Sequence, residues 1–233
     1  MTMFSFDVYA IIPAREGSKG IKLKNISNVN DKPLLYWIVK SAIISNVFKD
    51  IYLSTESRRI KDIALSYFPA LKIINRPLNL ASDTATSESV VAHAIESQNL
   101  KSAMGIALLQ PTSPLTSPES IKEAVMLYKN KQGNCSVVTI TKEFGYIGEQ
   151  NQNDKNIFNP FRIIRYRRQD MKPFLKETGA VYIAPPRAWL KGIRLYHPVY
   201  YVNVPKIESY EVDDEIDLAI VDMLMRRKLN GIF

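Results

Sequence analysis

Residues 8–25 read Val-Tyr-Ala-Ile-Ile-Pro-Ala-Arg-Glu-Gly-Ser-Lys-Gly-Ile-Lys-Leu-Lys-Asn. The apolar run from Val8 to Ile12 has the character of a buried strand, and Pro13 closes it. The loop that follows brings cations through Arg15, Lys19 and Lys24. Gly17 and Gly20 can let backbone N–H groups approach phosphate oxygens, and Ser18 adds a hydroxyl donor. Open parallel sheets place their ligands in this position, beyond the carboxyl ends of the strands. The loop has neither the Walker A spacing nor the dinucleotide G-x-G-x-x-G. Its residues therefore read either as a polyphosphate site or as a plain basic turn.

Working outward, apolar residues at helical spacing (Leu34, Leu35, Ile38, Ala42, Ile43) predict a helix from Pro33 to about Val47. Short strands are expected at 51–54, 71–74, 105–109 and 136–141, with helices at 58–67, from Thr86 or Ser87 through Ile95, and from Ser117-Pro118-Glu119 to about Lys129. Strand and helix alternate with short connections, the signature of a mostly parallel sheet with helices on both faces. The rhythm breaks between Lys142 and Lys176, where Asn, Gln, Asp, Gly and Pro cluster. Residues 142–178 read as an inserted arm in a single domain spanning 1–233, and the apolar content of the arm (Phe158, Phe161, Ile163, Ile164, Tyr166) suits a subunit contact. Strands resume at 180–184 and 199–204. A last helix is expected from about Asp214 to Arg227, with Ile216, Ile220, Met223 and Leu224 on its apolar face.

The chain has 233 residues, 46% of them hydrophobic, which supports a sizeable core. Its formal charge is +8. Nucleic acid, an acidic small substrate or an anionic surface could each explain that balance. The tightest basic group is Arg162, Arg165, Arg167 and Arg168, which reads as a solvated strand face or as an anion site. The single cysteine, Cys135, excludes an internal disulfide framework and reads as a buried thiol. The first seven residues lack the order of a secretory signal, and no apolar stretch is long enough to span a bilayer, so the cytoplasm is the expected compartment.

The blocks around the first loop resemble the cytidylyltransferases that make CMP-sialic acids. The resemblance is carried by Ala14-Arg15, Ser18-Lys19-Gly20 and Lys24-Asn25, then by Arg76-Pro77 with Leu80-Ala81-Ser82-Asp83-Thr84. It continues through Leu109-Gln110-Pro111-Thr112-Ser113-Pro114-Leu115, a Gly179-Ala180-Val181-Tyr182-Ile183 strand, and Val212-Asp213 ahead of Glu215 and Asp217-Leu218. These blocks follow the family's order from about residue 8 to 224. The resemblance implies a Rossmann-like fold of the nucleotide-diphospho-sugar transferase type.

It also implies roles. Ala14, Arg15, Ser18, Lys24, Asn25, Arg76, Ser82, Asp83 and Ser87 would bind the nucleotide of CTP, with Arg15, Lys24 and Asp213 taking part in catalysis. Gln110, Thr112, Ser113, Arg168, Lys176 and Tyr182 would meet the acceptor sugar, a nonulosonic acid. Hydroxyls and amides suit a polyol, and cations suit its carboxylate. Taken residue by residue, the prolines could simply shape a turn, and the Ser82-Asp83-Thr84 side chains could be helix caps.

Glu211 and Asp213 stand two apart in an extended approach, so both can point to one face and hold Mg2+ or Mn2+. Alternatively, Asp213 or Asp214 caps the last helix, with its acidic neighbours complementing the helix dipole. The sequence departs from the sialic acid pattern at Glu211, where the family has Asp, and at Lys176, where it has Arg; the segment 142–146 also follows the pattern loosely. A legionaminic- or pseudaminic-type acceptor fits these departures. His93 reads as packing or surface and His197 as a loop residue, so no histidine base is expected. The family resemblance favours a homodimer without nucleic acid or membrane as partner. Competing readings are a transferase for the eight-carbon sugar Kdo or a sugar 1-phosphate, a nucleic-acid binder, and a non-catalytic sugar-nucleotide sensor.

Overall fold

The computed structural model describes residues 7–18 and 20–232. Lys19, expected in the basic loop, lies outside the described residues, as do the first six residues of the segment read for a secretory signal. The chain runs β1 (Val8–Pro13), β2 (Asn28–Val29), β3 (Lys32–Pro33), α1 (Leu34–Ser45), β4 (Ile51–Thr55), α2 (Arg58–Tyr67), β5 (Lys72–Asn75) and α3 (Ser87–Ser97). It continues through β6 (Gly105–Leu109), α4 (Pro118–Asn130), β7 (Ser136–Glu143), β8 (Gly148–Gln150), β9 (Phe158–Pro160), β10 (Phe174–Ala184), α5 (Pro186–Trp189), β11 (Val199–Asn203) and α6 (Glu215–Leu229).

The main sheet has the order β11-β7-β10-β6-β1-β4-β5. All adjacent pairs are parallel except those of β10, which runs against both β6 and β7. β1 lies inside the sheet, and its side chains alternate between two cores. Val8, Ala10 and Ile12 join α1, α2 and α4 on one face; Ile11 joins α3 and α5 on the other. Each such fully buried Ile or Leu contributes about 1.5–3 kcal/mol. A third cluster of Ile21, Val29, Leu34, Trp37, Leu115, Val212, Val221 and Met225 fastens α6 over the start of α1.

Three helices start as their sequences dictate. The side chains of Ser57, Thr86 and Ser117 accept the backbone N–H of Ile60, Ser89 and Ser120, and Pro118 takes the first helical position. Thr86, not Ser87, is therefore the cap of α3. Cys135 is buried, and burial pushes its thiol pKa up.

Two expectations are corrected here. The face of α6 that meets the core carries Val221 and Met225 with Leu218 and the expected Leu224 packed beside them, whereas Ile216 and Met223 are exposed. The inserted segment is also shorter than 142–178. β7 continues to Glu143 and pairs with Phe174 at the start of β10, so the sheet absorbs both ends and leaves 144–173 outside it. Within that stretch, β8 and β9 form a small antiparallel hairpin. No helix of the described residues is long and apolar enough to cross a membrane.

Candidate active site

The sheet order creates the crevice. After β1 the chain proceeds outward through β4 and β5, then returns to place β6 on the other side of β1. Connections from β1 and β6 leave in opposite directions, which opens a ligand-sized gap at their carboxyl ends. A cavity of about 430 Å³ lies there. The loop after β1 lines it with Arg15, Ser18, Gly20, Lys24 and Asn25; the segments after β5 add Arg76, Ser82, Thr86 and Ser87. Gln110, Pro111 and Thr112 enter from the end of β6, and Asp213 from the approach to α6.

Each wall is braced. The Asn25 amide donates to the Arg15 carbonyl at 2.8 Å, fixing the loop's start to its end. The Arg15 guanidinium pairs with Asp83 at 2.9 Å and donates to the Ala81 carbonyl, tying the loop to the opposite wall. Lys24 donates to the Val212 carbonyl at 2.9 Å and pairs with Asp213 at 3.0 Å. Gly20 passes so close to Asp213 that a β-carbon there would sit 2.3 Å from the Asp213 carbonyl oxygen. The glycine is thus required for the loop to close on the acidic segment, whereas Gly17 faces open space.

Arg76 follows β5 and is almost fully buried, pairing with Glu56 at 3.0 Å. Burial lowers its pKa first, and the Glu56 charge works the other way. Glu56 also accepts the backbone N–H of Glu16 at 2.7 Å. Reading the sequence passed over Glu56. The available signal was its place immediately beyond the carboxyl end of β4, the strand beside β1, where side chains reach the crevice.

On the β6 side, the Gln110 side chain donates to the Gly179 carbonyl at 2.7 Å. Gly179 sits at a bulge of β10, between Glu177 and Tyr182, with φ +71°. A β-carbon there would meet the Glu211 carboxylate at 2.3 Å, so Glu211 packs directly on this glycine. The Glu211 carboxyl is pushed up to about 7, chiefly by burial and then by the charge of Asp213; Lys176 and Lys24 act in the opposite sense.

The remaining sequence-picked residues stand elsewhere. Ala14 is buried in the core under the loop, and Asp83 acts on the site through Arg15. Ser113 and Tyr182, expected against the sugar, do not line this cavity. Ser113 is fully buried in the turn after β6, with its hydroxyl facing no partner among the described residues. Tyr182 is buried in the second core, donating to Glu177 at 2.9 Å beneath the guanidinium of Arg194. Arg168 lies in the 144–173 segment, 5.9 Å from the centre of the Phe144 ring. Lys176 is exposed on β10 opposite Thr141.

The acidic segment divides its labour. Asp214 caps α6 by accepting from Ile216 and Asp217, and Asp217 accepts from the backbones of Asp213 and Asp214 in return. Asp213 is left with a side chain 74% exposed at the cavity rim. Among the described residues, no group of three or more His, Cys, Asp or Glu side chains gathers around one point. One open carboxylate with a second beside it fits a hard cation that takes its other ligands from water and substrate phosphates, as Mg2+ does, rather than a closed protein cage.

The family model described as cytidylyltransferase matches residues 9–215. An N-acylneuraminate cytidylyltransferase of Escherichia coli O18:K1:H7 is 30% identical over 95% of this chain and 52% of its own length. The chain thus spans about half the length of the first curated relatives it matches. A pseudaminic acid cytidylyltransferase of Campylobacter jejuni is 29% identical over 93% of this chain and 95% of its own. Among solved structures, a CMP:2-keto-3-deoxy-manno-octonic acid synthetase complexed with CTP superposes with a TM-score of 0.70 over 95% of this chain and 99% of its own, at 16% identity. The 4-diphosphocytidyl-2C-methyl-D-erythritol synthase of Anaerococcus prevotii follows at 0.67 and 13% identity, over 95% of this chain and 99% of its own. Both show the same fold.

Proposed function

This chain belongs to the cytidylyltransferase family, and we propose on that premise that it joins CMP from CTP to the anomeric hydroxyl of a sialic-acid-like nonulosonic acid. The observation that carries the reading is the convergence of Arg15, Lys24, Arg76 and Asp213 on one cavity between the carboxyl ends of β1 and β6. Arg15 and Lys24 suit the triphosphate, Arg76 stands at the cytidine end, and the polar Gln110-Pro111-Thr112 wall suits a polyol.

In the proposed reaction, the anomeric hydroxyl oxygen bonds to the α-phosphorus of CTP. The bond from that phosphorus to the bridging oxygen breaks, pyrophosphate leaves, and the hydroxyl proton passes to solvent. The protein's part is positioning and charge neutralisation. Arg15 and Lys24 take the phosphates, with Ser18 and Asn25 beside them; Arg76, Ser82 and Ser87 form the cytidine end. Gln110 and Thr112 orient the acceptor, and Lys176 with Arg168 attracts its carboxylate. Asp213, with Glu211 next to it, would hold Mg2+ or Mn2+, which when bound adds positive charge near the phosphates. A pseudaminic-type acceptor is favoured by Lys176 and by the relative that matches over nearly its whole length. The exposed apolar side chains of residues 144–173 support a homodimer.

The test is pyrophosphate release from CTP with Mg2+ against N-acetylneuraminic, legionaminic and pseudaminic acids and Kdo. Release with one nonulosonic acid, dependent on CTP, is expected. Release only with Kdo would overturn the acceptor class, and silence with every acceptor in folded protein would overturn the transferase reading.

A further inference from the structure

The carboxylate of Glu56 touches two parts of the cavity wall without lining the cavity itself. One oxygen accepts the Glu16 backbone N–H at 2.7 Å, in the loop between Arg15 and Ser18. The other faces the Arg76 guanidinium at 3.0 Å. The ion pair is sheltered, with the side chains of Arg76 and Glu56 3% and 9% exposed, whereas the contact to Glu16 lies at the surface. The Arg76 backbone N–H is also held by the Thr55 carbonyl at 3.0 Å, so main chain and side chain of Arg76 are referred to the end of β4. The Nε and Nη2 of Arg76 and the Oε2 of Glu56 have no hydrogen-bond partner among the described residues, so their 3.0 Å contact is an ion pair without hydrogen-bond geometry, and Arg76 keeps buried donors beside the cavity it lines.

We propose that Glu56 is the positioning residue for CTP: it sets the phosphate loop and the Arg76 guanidinium at a fixed separation, so that triphosphate and base are received together. The inference rests on the cytidylyltransferase reading. A buried cation stays charged and oriented only with a partner, and Arg15 stands near enough to repel it. Glu56 supplies the partner and anchors Glu16 with its second oxygen. A lost negative charge at 56 therefore disturbs both ends of the nucleotide at once. The acceptor wall at Gln110 and Thr112 has its own supports on Gly179 and Val212 and is untouched.

The experiment uses the full chain with Glu56→Gln and Glu56→Asp. CTP affinity is measured by calorimetry, acceptor KM and the CTP-over-UTP preference by pyrophosphate release, and folding by circular dichroism. Glu56→Gln is expected to raise the CTP Kd at least tenfold and to lower the CTP-over-UTP preference, with acceptor KM within twofold of wild type. Glu56→Asp is one methylene shorter, cannot make both contacts at their present lengths, and should raise the CTP Kd at least threefold. If the Gln variant does not fold, the Asp variant decides. CTP affinity within twofold of wild type in a folded variant, or equal losses for CTP and acceptor, would overturn the proposal. Wild-type protein that neither binds CTP nor releases pyrophosphate would overturn the functional reading and this inference with it. Wild-type binding with indifferent variants overturns the inference alone.

Discussion

Lys24 and Asp213 hold one another at 3.0 Å, and each has a second task. Lys24 is well buried and braced by the Val212 carbonyl, so its ammonium is preorganised toward the cavity. Lys24→Met should lower kcat/KM by about 10²–10³-fold, the usual loss when one transition-state donor is removed. Asp213→Asn should abolish Mg2+-dependent turnover while the melting temperature stays within about 2 °C of wild type, because its carboxylate is largely in solvent. Normal turnover in Asp213→Asn would remove the metal assignment. Glu211 answers to pH. Its carboxyl is raised from 4.5 to about 7, so folding favours the protonated form. That benefit is complete below about pH 4.5 and is lost as pH rises through 7. In EDTA, Glu211→Gln should therefore melt higher than wild type at pH 8 by roughly 2–3 °C, after allowing for the solvent that reaches the group. The two proteins should converge below pH 5; a constant gap across pH would refute the burial cause.

At the scale of elements, the bulge of β10 supports the Gln110 wall of the cavity. Gly179 takes φ +71° there, and the space beside its α-carbon is filled by the Glu211 carboxylate. Gly179→Ala should cost about 1 kcal/mol from backbone conformation alone and more from displacing Glu211. The second part should be recovered in Gly179→Ala/Glu211→Ala, so denaturation of the two single variants and the double variant should be non-additive. Additive losses would mean that the contact does not matter. Much at this scale could be read from sequence, because capping is local: Ser117-Pro118 and the α2 boundaries need no knowledge of the fold. The direction of β10 could not. It depends on whether the chain returns through a helix or through an arm, and no residue within Phe174–Ala184 reports that. The apolar face of α6 was misread because Ile216 and Met223 are as hydrophobic as Val221 and Met225; only the position of the third cluster decides which pair is buried.

At the scale of the molecule, the loop after β1 located the crevice because a buried strand ending in a basic, glycine-containing turn has few other uses. Arg15, Lys24 and Asp213 are 9 to 198 residues apart in sequence and meet at one rim. Glu56 escaped because its importance lies in what it holds and not in its own spacing. Residues 144–173 stand outside the main sheet. They expose Ile163 (86%) and Ile164 (65%) beside Phe158 and Phe161, and the guanidinium groups of Arg162 and Arg165 lie over Phe174 and Tyr146. Rings and cations packed in this way make a shaped surface, and side chains as apolar as Ile163 and Ile164 gain most by meeting another apolar surface. The partner proposed is a second copy, which would bury the same patch twice about a twofold axis. Sedimentation equilibrium should then give a dimer at micromolar concentration. The double variant Ile163→Asp/Ile164→Asp should be monomeric with an unchanged circular dichroism spectrum, since neither side chain packs in a core cluster. A wild-type chain that stays monomeric up to about 100 times that concentration would leave the patch without its proposed partner, because a dimer weaker than that falls short of about 5.5 kcal/mol of association free energy.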